Sequence, residues 1–577
     1  MAKPKRIKHR LMGSESDLGY TCRIEPSQII DPHINEPVPV TKLFSPFFER
    51  VGKYFVRPLG SDVAGAQTHN MGRAYYDNVP EYATPECRGA KELVCHEIAG
   101  LEYFQETIES LWSEYPFFDG LNLNKNQRDG LYFRRRVEMS REDVRGAALG
   151  FSIGINPRGS HANYLTFSRI TNEFLGEALG LFLKTRFALI GNGWLDVVPG
   201  GGIRFLRSQR APSIVQLHGT CSTLVEKPLI HRRDEMHCDP SLWRRIHDIS
   251  GDSNMSPFQL FLKYVTYDLV LAMVEEEGYF VPPPQIEDVR VDDLTFQYEN
   301  GQLQGYERKV GRVISFFNSD IFSSSPVVLD DGRRWLDIDF QEYYLSAAEK
   351  FFADGNGPLT EDRRLGLRCW RESLDALRRR NLDYLGSRHD WAIIWKYLIS
   401  GRLEKLGYNP ELVIRPDATE HTRTEILRHD IALDGRYEGK SLLEYLLEGI
   451  FEYSNLNKRA GLYYHLERRG CIEPFIGQSK IDFAKTTPPG LTRAKWRDLI
   501  FRAVKEKYPD LKFDNNSADW WTRIRFKPAG SGTHTITFSA DNPYQCVLKM
   551  RGRPIEECAD DCGRISSVSV TNTHIEE

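Results

Sequence analysis

The chain has 577 residues, 41% hydrophobic and 12% aromatic, enough to bury a large core and too many for one ordinary compact domain. Its 76 basic and 80 acidic residues leave a formal charge of -4, which offers no general attraction to nucleic acid or to an anionic membrane. The basic opening, residues 1–13, has no apolar run behind it, and nothing later approaches a membrane-spanning length, so a cytoplasmic protein without nucleic-acid or membrane partners is expected.

The first strand is expected at 6–13. If it runs on, Glu15 and Asp17 project from one face, because alternate strand side chains share a face. Two adjacent carboxylates repel each other, so they are either a solvated strand end or a site for a hard cation such as Mg²⁺. A second strand at 73–78 puts Arg73, Tyr75 and Asp77 on one face, and Glu81 follows as a further oxygen ligand. That group could hold the phosphates of a nucleotide, or it could be an edge strand with a structural ion pair. Helix spacing covers 86–115, with Leu93, Ile98, Leu101, Ile108 and Leu111 on one stripe. Strands are expected at 148–155 and 163–170.

The stretches Arg207-Ser-Gln-Arg210 and Arg232-Arg-Asp-Glu-Met-His-Cys-Asp239, followed by Arg244, Arg245 and His247, are rich in groups that bind phosphate. Gly200, Gly201 and Gly202 lack the Gly-Lys-Ser/Thr of a P-loop and make a turn. Helices follow at 258–277 and 361–380, the latter ending in Arg378, Arg379 and Arg380, a cationic cap suited to a helix C-terminus. Thr487-Pro-Pro-Gly490 is the clearest break, and the polar tail after Pro554 has no periodicity. Ten cysteines without Cys-x-x-Cys pairs indicate reduced thiols, and Cys558 with Cys562 makes a poor zinc site.

These segments, in this order, resemble the Pup ligases and the depupylases that remove or deamidate Pup, the prokaryotic ubiquitin-like protein. Met12-Gly-Ser-Glu-Ser-Asp-Leu-Gly19 is similar to the family's opening Gly-x-Glu-x-Glu-x-Gly strand. Tyr76-Asp-Asn-Val-Pro-Glu-Tyr-Ala-Thr-Pro-Glu-Cys87 resembles its Pro-Glu-Tyr-Ala-Thr-x-Glu-Cys block. Lys227-Pro-Leu-Ile-His-Arg-Arg-Asp-Glu-Met-His-Cys-Asp239, Trp243-Arg-Arg-Ile-His247 and Gly251-Asp-Ser-Asn-Met-Ser256 follow the central block nearly residue for residue. Weaker similarity continues through Leu466-Glu-Arg-Arg-Gly470 and Thr487-Pro-Pro-Gly-Leu-Thr-Arg-Ala494 to Asp519-Trp520.

The resemblance implies an α+β, glutamine-synthetase-like fold, a curved antiparallel sheet backed by helices. It places the catalytic domain at 1–485, with insertions near 112–142 and 405–444, and a small C-terminal domain at 486–577. It implies ATP and Mg²⁺ as cofactors. Glu15, Tyr75 and Glu81 match metal ligands, with Asp17 where a second glutamate is usual. Arg73, Thr84 and Trp520 match ATP contacts, and Asp77 matches the catalytic aspartate. The implied reaction activates the C-terminal glutamate of a Pup-like modifier as an acyl phosphate and joins it to a lysine of a target protein.

Two alternatives stay open: a divergent relative acting on a different acceptor as a phosphotransferase or ligase, and a depupylase. Gly251-Asp-Ser-Asn-Met-Ser256 is closer to the ligase wording. The family's His-Glu-Asn-Tyr-Leu stands here as His161-Ala-Asn-Tyr-Leu165, and its Asn-Asn-Thr-Asp as Gly150-Phe-Ser-Ile153. Both changes are expected to remove polar groups from the face that meets the modifier.

Overall fold

The computed structural model describes residues 6–22, 28–31, 35–52, 56–57, 64–77, 79–125, 158–197, 203–211, 214–219, 227–231, 238–276, 278–280, 282–283, 296–299, 302–306, 326–329, 331–414, 433 and 438–507, with short strands between 518 and 554. The strand expected at 148–155, the turn at 200–202, residues 232–237, Trp520 and the tail lie outside them.

The frame is one sheet of ten strands. In chain order these are β1 (Leu11–Asp17), β2 (Val56–Arg57), β3 (Ala64–Gln67), β4 (Arg73–Asp77), β5 (Val79–Ala83), β6 (Cys87–Arg88), β7 (Ser160–Phe167), β8 (Ile214–Gly219), β9 (Lys227–His231) and β10 (Trp243–Asp248). Across the sheet the order is β8-β9-β10-β7-β1-β5-β4-β3-β2, with β6 also paired to β1. Every pairing is antiparallel except β8 with β9.

Strand β1 sits at the centre and begins later than expected, running through Ser14-Glu-Ser-Asp17. Those residues have little intrinsic strand preference. Pairing on both sides, with β7 and β5, overrides it.

One face of the sheet is closed by α1 (Ala90–Leu111) and α3 (Pro257–Val274), with α2 (Asn172–Thr185), α4 (Asp337–Ala353) and α5 (Glu361–Arg378) around them. Met12, Ala74, Tyr76, Tyr82, Ala162, Tyr164 and Ile246 point into this core. The expected helices at 86–115, 258–277 and 361–380 are therefore observed, trimmed at their ends. Ser256 caps α3 by accepting from Gln259 N, and Pro257 opens its first turn, where its missing N–H costs nothing.

Charge is also buried on this side. Arg10 Nε lies 2.7 Å from Asp268 Oδ1 and its Nη1 2.6 Å from Glu275 Oε1. Arg363 of α5 reaches the other oxygen of Asp268 at 2.8 Å. The network ties the start of β1 to α3 and α5, and the two arginines hold the Asp268 carboxyl down at about 2 although burial alone would raise it.

Arg378 ion-pairs with Asp339 and Glu342 of α4, so the arginine run at the end of α5 braces a neighbouring helix. The described cysteines are all free thiols. No described helix is long and apolar enough to cross a membrane.

Candidate functional site

The face of the sheet opposite the helices carries the chemistry, and the strand register decides which groups meet. Glu15 stands opposite His161 on β7 and opposite Ala83 on β5; Asp17 stands opposite Glu81. Tyr75 of β4 pairs with Glu81 from the other side, and Arg73 pairs with Ala83. Asn163 pairs with His247 of β10. The face thus carries two adjacent rows, His161, Glu15, Ala83 and Arg73 in one and Asp17, Glu81 and Tyr75 in the next, with His247 one step to the other side.

The geometry on this face is close. His161 Nδ1 lies 3.0 Å from Glu15 Oε2. The His161 and His247 rings are 4.9 Å apart, and His231 of β9 extends the series, 5.2 Å from His247. One ligand atom each from Glu15, His161 and His247 lies within 4.8 Å of the other two, the spacing of a candidate metal centre. The Arg73 guanidinium stacks over the Tyr75 ring at 4.6 Å. Burial works to raise the Glu15 carboxyl, but the His161 hydrogen bond and the nearby charges of His161, Arg245 and Arg73 outweigh it and hold the group below its ordinary value.

Close backbone approach shapes one wall. Gly159 N donates to Asp17 Oδ2 at 2.5 Å. A Cβ on Gly159 would come within 2.4 Å of His161 Nε2 and 2.6 Å of Asp17 Oδ2, so a side chain there would push both groups out of place. Arg158 donates to Leu18 O at 2.5 Å, and Arg210, fully buried, donates to Arg158 O at 2.6 Å. Thr84 lies just past β5. Its N–H donates to Ser14 O and its Oγ1 accepts from Ser14 N, both at 2.9 Å. The hydroxyl hydrogen stays available on the side where Gly13 has no side chain, 3.6 Å from an added Cβ.

Two observations test whether a hard cation fits. The Tyr75 hydroxyl and Asp17 Oδ1 are buried without a hydrogen-bond partner among the described residues. Buried polar atoms are otherwise satisfied nearly everywhere in folded proteins. The Glu81 and Glu15 carboxylates lie on the same face and make an oxygen-rich half of the kind Mg²⁺ takes, while Glu15 with His161 and His247, the group at metal-ligand spacing among the described residues, gives a nitrogen-rich half that also takes softer divalent ions.

The structure thus brings Glu15, Asp17, Arg73, Tyr75 and Glu81 together, with Thr84 at the rim. Asp77 is the last residue of β4, in register with Val79, but its side chain lies outside the described residues, as does Trp520. His161 and His247 are metal-centre candidates that reading the chain missed. Their motifs were visible, but nothing local says that Glu15 is their neighbour.

Three expectations change. Ala162 faces the helices, fully buried opposite Ser14, so its difference from the family's glutamate does not strip the open face. Arg207 is a scaffold residue, fully buried with its guanidinium 2.5 Å from Asp337 at the start of α4. Arg210 likewise builds the wall beneath Asp17. Both are buried from solvent.

Comparison with known proteins bears on the family and the fold. The family model described as Pup-ligase protein matches residues 41–412 and 446–524. The Pup–protein ligase of Nocardioides sp. (strain ATCC BAA-499 / JS614) is 29% identical over 514 residues, covering 88% of this chain and 92% of the relative. That of Kineococcus radiotolerans is 28% identical over the same shares. Among solved structures, the ligase PafA in complex with the prokaryotic ubiquitin-like protein Pup superposes with a TM-score of 0.68 at 20% identity, over 97% of this chain and 92% of that one. PafA in complex with ADP gives 0.62 at 21% identity, over 94% of both chains. These superpositions carry the fold, and the family match spans most of the sequence: the chain belongs to the Pup ligase family.

Proposed function

We propose that this protein is an ATP-dependent ligase that activates the C-terminal carboxylate of a Pup-like modifier as an acyl phosphate and transfers it to a lysine amine of a target protein. The observation that carries the reading is the single open face where Glu15, Asp17, Arg73, Tyr75 and Glu81 converge with buried oxygens left unsatisfied. Membership of the Pup ligase family supplies the modifier and the lysine.

In this mechanism a modifier carboxylate oxygen attacks the γ-phosphorus of ATP, the bond to the bridging oxygen breaks, and ADP leaves. Arg73 neutralises charge spread over the transferring phosphoryl oxygens. Mg²⁺ held by Glu15, Tyr75 and Glu81, with Asp17 beside them, would supply the remaining electrostatic stabilisation. Thr84 can donate its hydroxyl hydrogen at the rim, and the resemblance assigns Trp520 a contact with the nucleotide. The acceptor lysine is protonated at neutral pH, so Asp77 takes its proton before the amine attacks the acyl phosphate and expels phosphate.

The test is incubation with ATP, Mg²⁺ and a Pup-like protein ending in glutamate, followed by mass spectrometry. ADP with a lysine isopeptide adduct is the expected result. ADP without any adduct would move the reaction to another acceptor, and release of ammonia from a glutamine-ended modifier would make the protein a depupylase. Failure to bind ATP would remove every enzymatic reading.

A further inference from the structure

The motif Gly251-Asp-Ser-Asn-Met-Ser256, which follows β10, has no part in the site as built so far. Its Asp252 is fully buried. Oδ1 accepts from Ser208 Oγ at 2.8 Å and Arg210 N at 3.1 Å, and Oδ2 accepts from Asn192 N at 2.9 Å and Gln209 N at 3.2 Å. Each oxygen thus takes two donors, the full capacity of an ionised carboxylate. Burial raises this carboxyl above its ordinary value, against the pull of the four hydrogen bonds. Three of the four donors belong to residues 208–210, so the carboxylate shapes that turn and sets the direction in which the Arg210 side chain leaves it.

Two routes lead from Asp252 to residues 158–160. In the first, Arg210 Nη1 donates to Arg158 O at 2.6 Å. Burial lowers the Arg210 guanidinium to about 10, while the charges of Asp17 and Asp252 both favour it. In the second, the backbone carbonyl of Asp252 accepts from Lys263 Nζ at 3.0 Å, and the same buried ammonium of α3 donates to Ser160 O at 2.9 Å and Ser160 Oγ at 2.8 Å. Gly159 lies between these two grips. Its N–H donates to Asp17 Oδ2, and its carbonyl accepts from Asp17 N at 3.1 Å. That contact occupies Oδ2 and leaves Oδ1, buried and without a hydrogen-bond partner among the described residues, as the oxygen a cation can take. Two residues further on, His161 meets Glu15, so the same short backbone serves both carboxylates of β1.

We propose that Asp252 is a positioning residue for the metal site: by shaping residues 208–210 and, through Lys263, holding Ser160, it fixes the Gly159 N–H that orients the Asp17 carboxylate toward the cation. This rests on the metal reading given above. Asp252 acts through Asp17, as the outer partners of metal ligands do in general.

The experiment uses the full chain and compares wild type with Asp252→Asn, Asp17→Asn and the double variant. Asp252→Asn keeps the shape but turns an N–H₂ group toward two donors. Mn²⁺ alone is the probe, its free aqueous ion counted by electron paramagnetic resonance, and ATP turnover is followed across a range of Mg²⁺ concentrations. Asp252→Asn is expected to weaken Mn²⁺ binding and raise the Mg²⁺ needed for half-maximal turnover by about tenfold, the lower end of the effect of removing an outer partner, with turnover at saturating Mg²⁺ within about threefold of wild type. Asp17→Asn should weaken Mn²⁺ binding comparably, and adding Asp252→Asn to it should change the affinity by no more than about twofold, because residues acting through one another are not additive.

A purely structural role would lower the melting temperature and leave Mn²⁺ affinity and the Mg²⁺ requirement as in wild type; that outcome overturns the proposal. A full tenfold loss that persists in the Asp17→Asn background overturns it too, since Asp252 would then act by another route. Should Asp252→Asn fail to fold, Arg210→Lys, which keeps a cation but shortens its reach to Arg158 O, decides by the same readouts. If wild type itself binds no Mn²⁺, the metal reading has failed, a result distinct from wild-type binding that the variants leave unchanged.

Discussion

The two faces of the central sheet hold the same kinds of residue in opposite states. Behind the sheet, Arg10, Asp268, Glu275 and Arg363 are buried and mutually paired at 2.6–2.8 Å. In front, the Tyr75 hydroxyl and Asp17 Oδ1 are buried and unpaired among the described residues. A satisfied charge network holds elements together, whereas polar atoms left unsatisfied are a cost that persists where something else completes them. The contrast is one of degree, since Arg186 and His96 behind the sheet also bury nitrogens without a hydrogen-bond partner among the described residues, but it sets an expected separation between structural and functional charge.

That separation can be broken by experiment. The largest effect is expected from Arg10→Ala, which leaves the buried Glu275 without its arginine and Asp268 with Arg363 alone, and should lower unfolding free energy by about 3–5 kcal/mol in chemical denaturation. A loss below about 1 kcal/mol would erase the contrast. Arg73→Ala should do the reverse, with the denaturation midpoint near wild type and ATP turnover down by about 10²–10³-fold. Unchanged turnover would place the chemistry elsewhere.

Acid separates the faces by a third route. The folded Asp268 carboxyl titrates near 2, below its unfolded value of about 3.9, so its stabilisation is complete above about pH 4 and is lost as pH falls through about 2. An acid titration of stability should show a contribution of order 2 kcal/mol that is absent in Asp268→Asn. Smallest is Tyr75→Phe, which removes a hydroxyl without a hydrogen-bond partner among the described residues. Stability should hold or rise slightly, while ATP turnover at limiting Mg²⁺ falls about tenfold. A clear loss of stability would mean the hydroxyl has a structural partner.

Much of the fold was legible because helix spacing and strand alternation are local. The long helices and the strand carrying Arg73 and Tyr75 follow from periods of a few residues. Strand β1 was misplaced because Ser14 to Asp17 has no strand preference of its own and takes its conformation from partners on either side. The oxygen-rich half of the site could be named, since Glu15, Asp17, Tyr75 and Glu81 sit in two short segments. The imidazole half could not. His161 and His247 become neighbours of Glu15 only through the order of β10, β7 and β1, which no local pattern encodes. The same limit explains Ala162: a change in a motif reads as a change in a site until register assigns it a face.

The Arg10 network also has a consequence for biogenesis. Its aspartate partner lies 258 residues downstream. At typical ribosomal speeds of about 5–20 residues per second, β1 emerges roughly 13–50 s before Asp268 does. For that interval the central strand carries an unmatched cation, although β5 and β7, the strands that pair with it, have emerged before it ends. Nascent chains stalled in this window should be the ones most dependent on chaperones, and a faster-translated middle of the message should shorten their exposure.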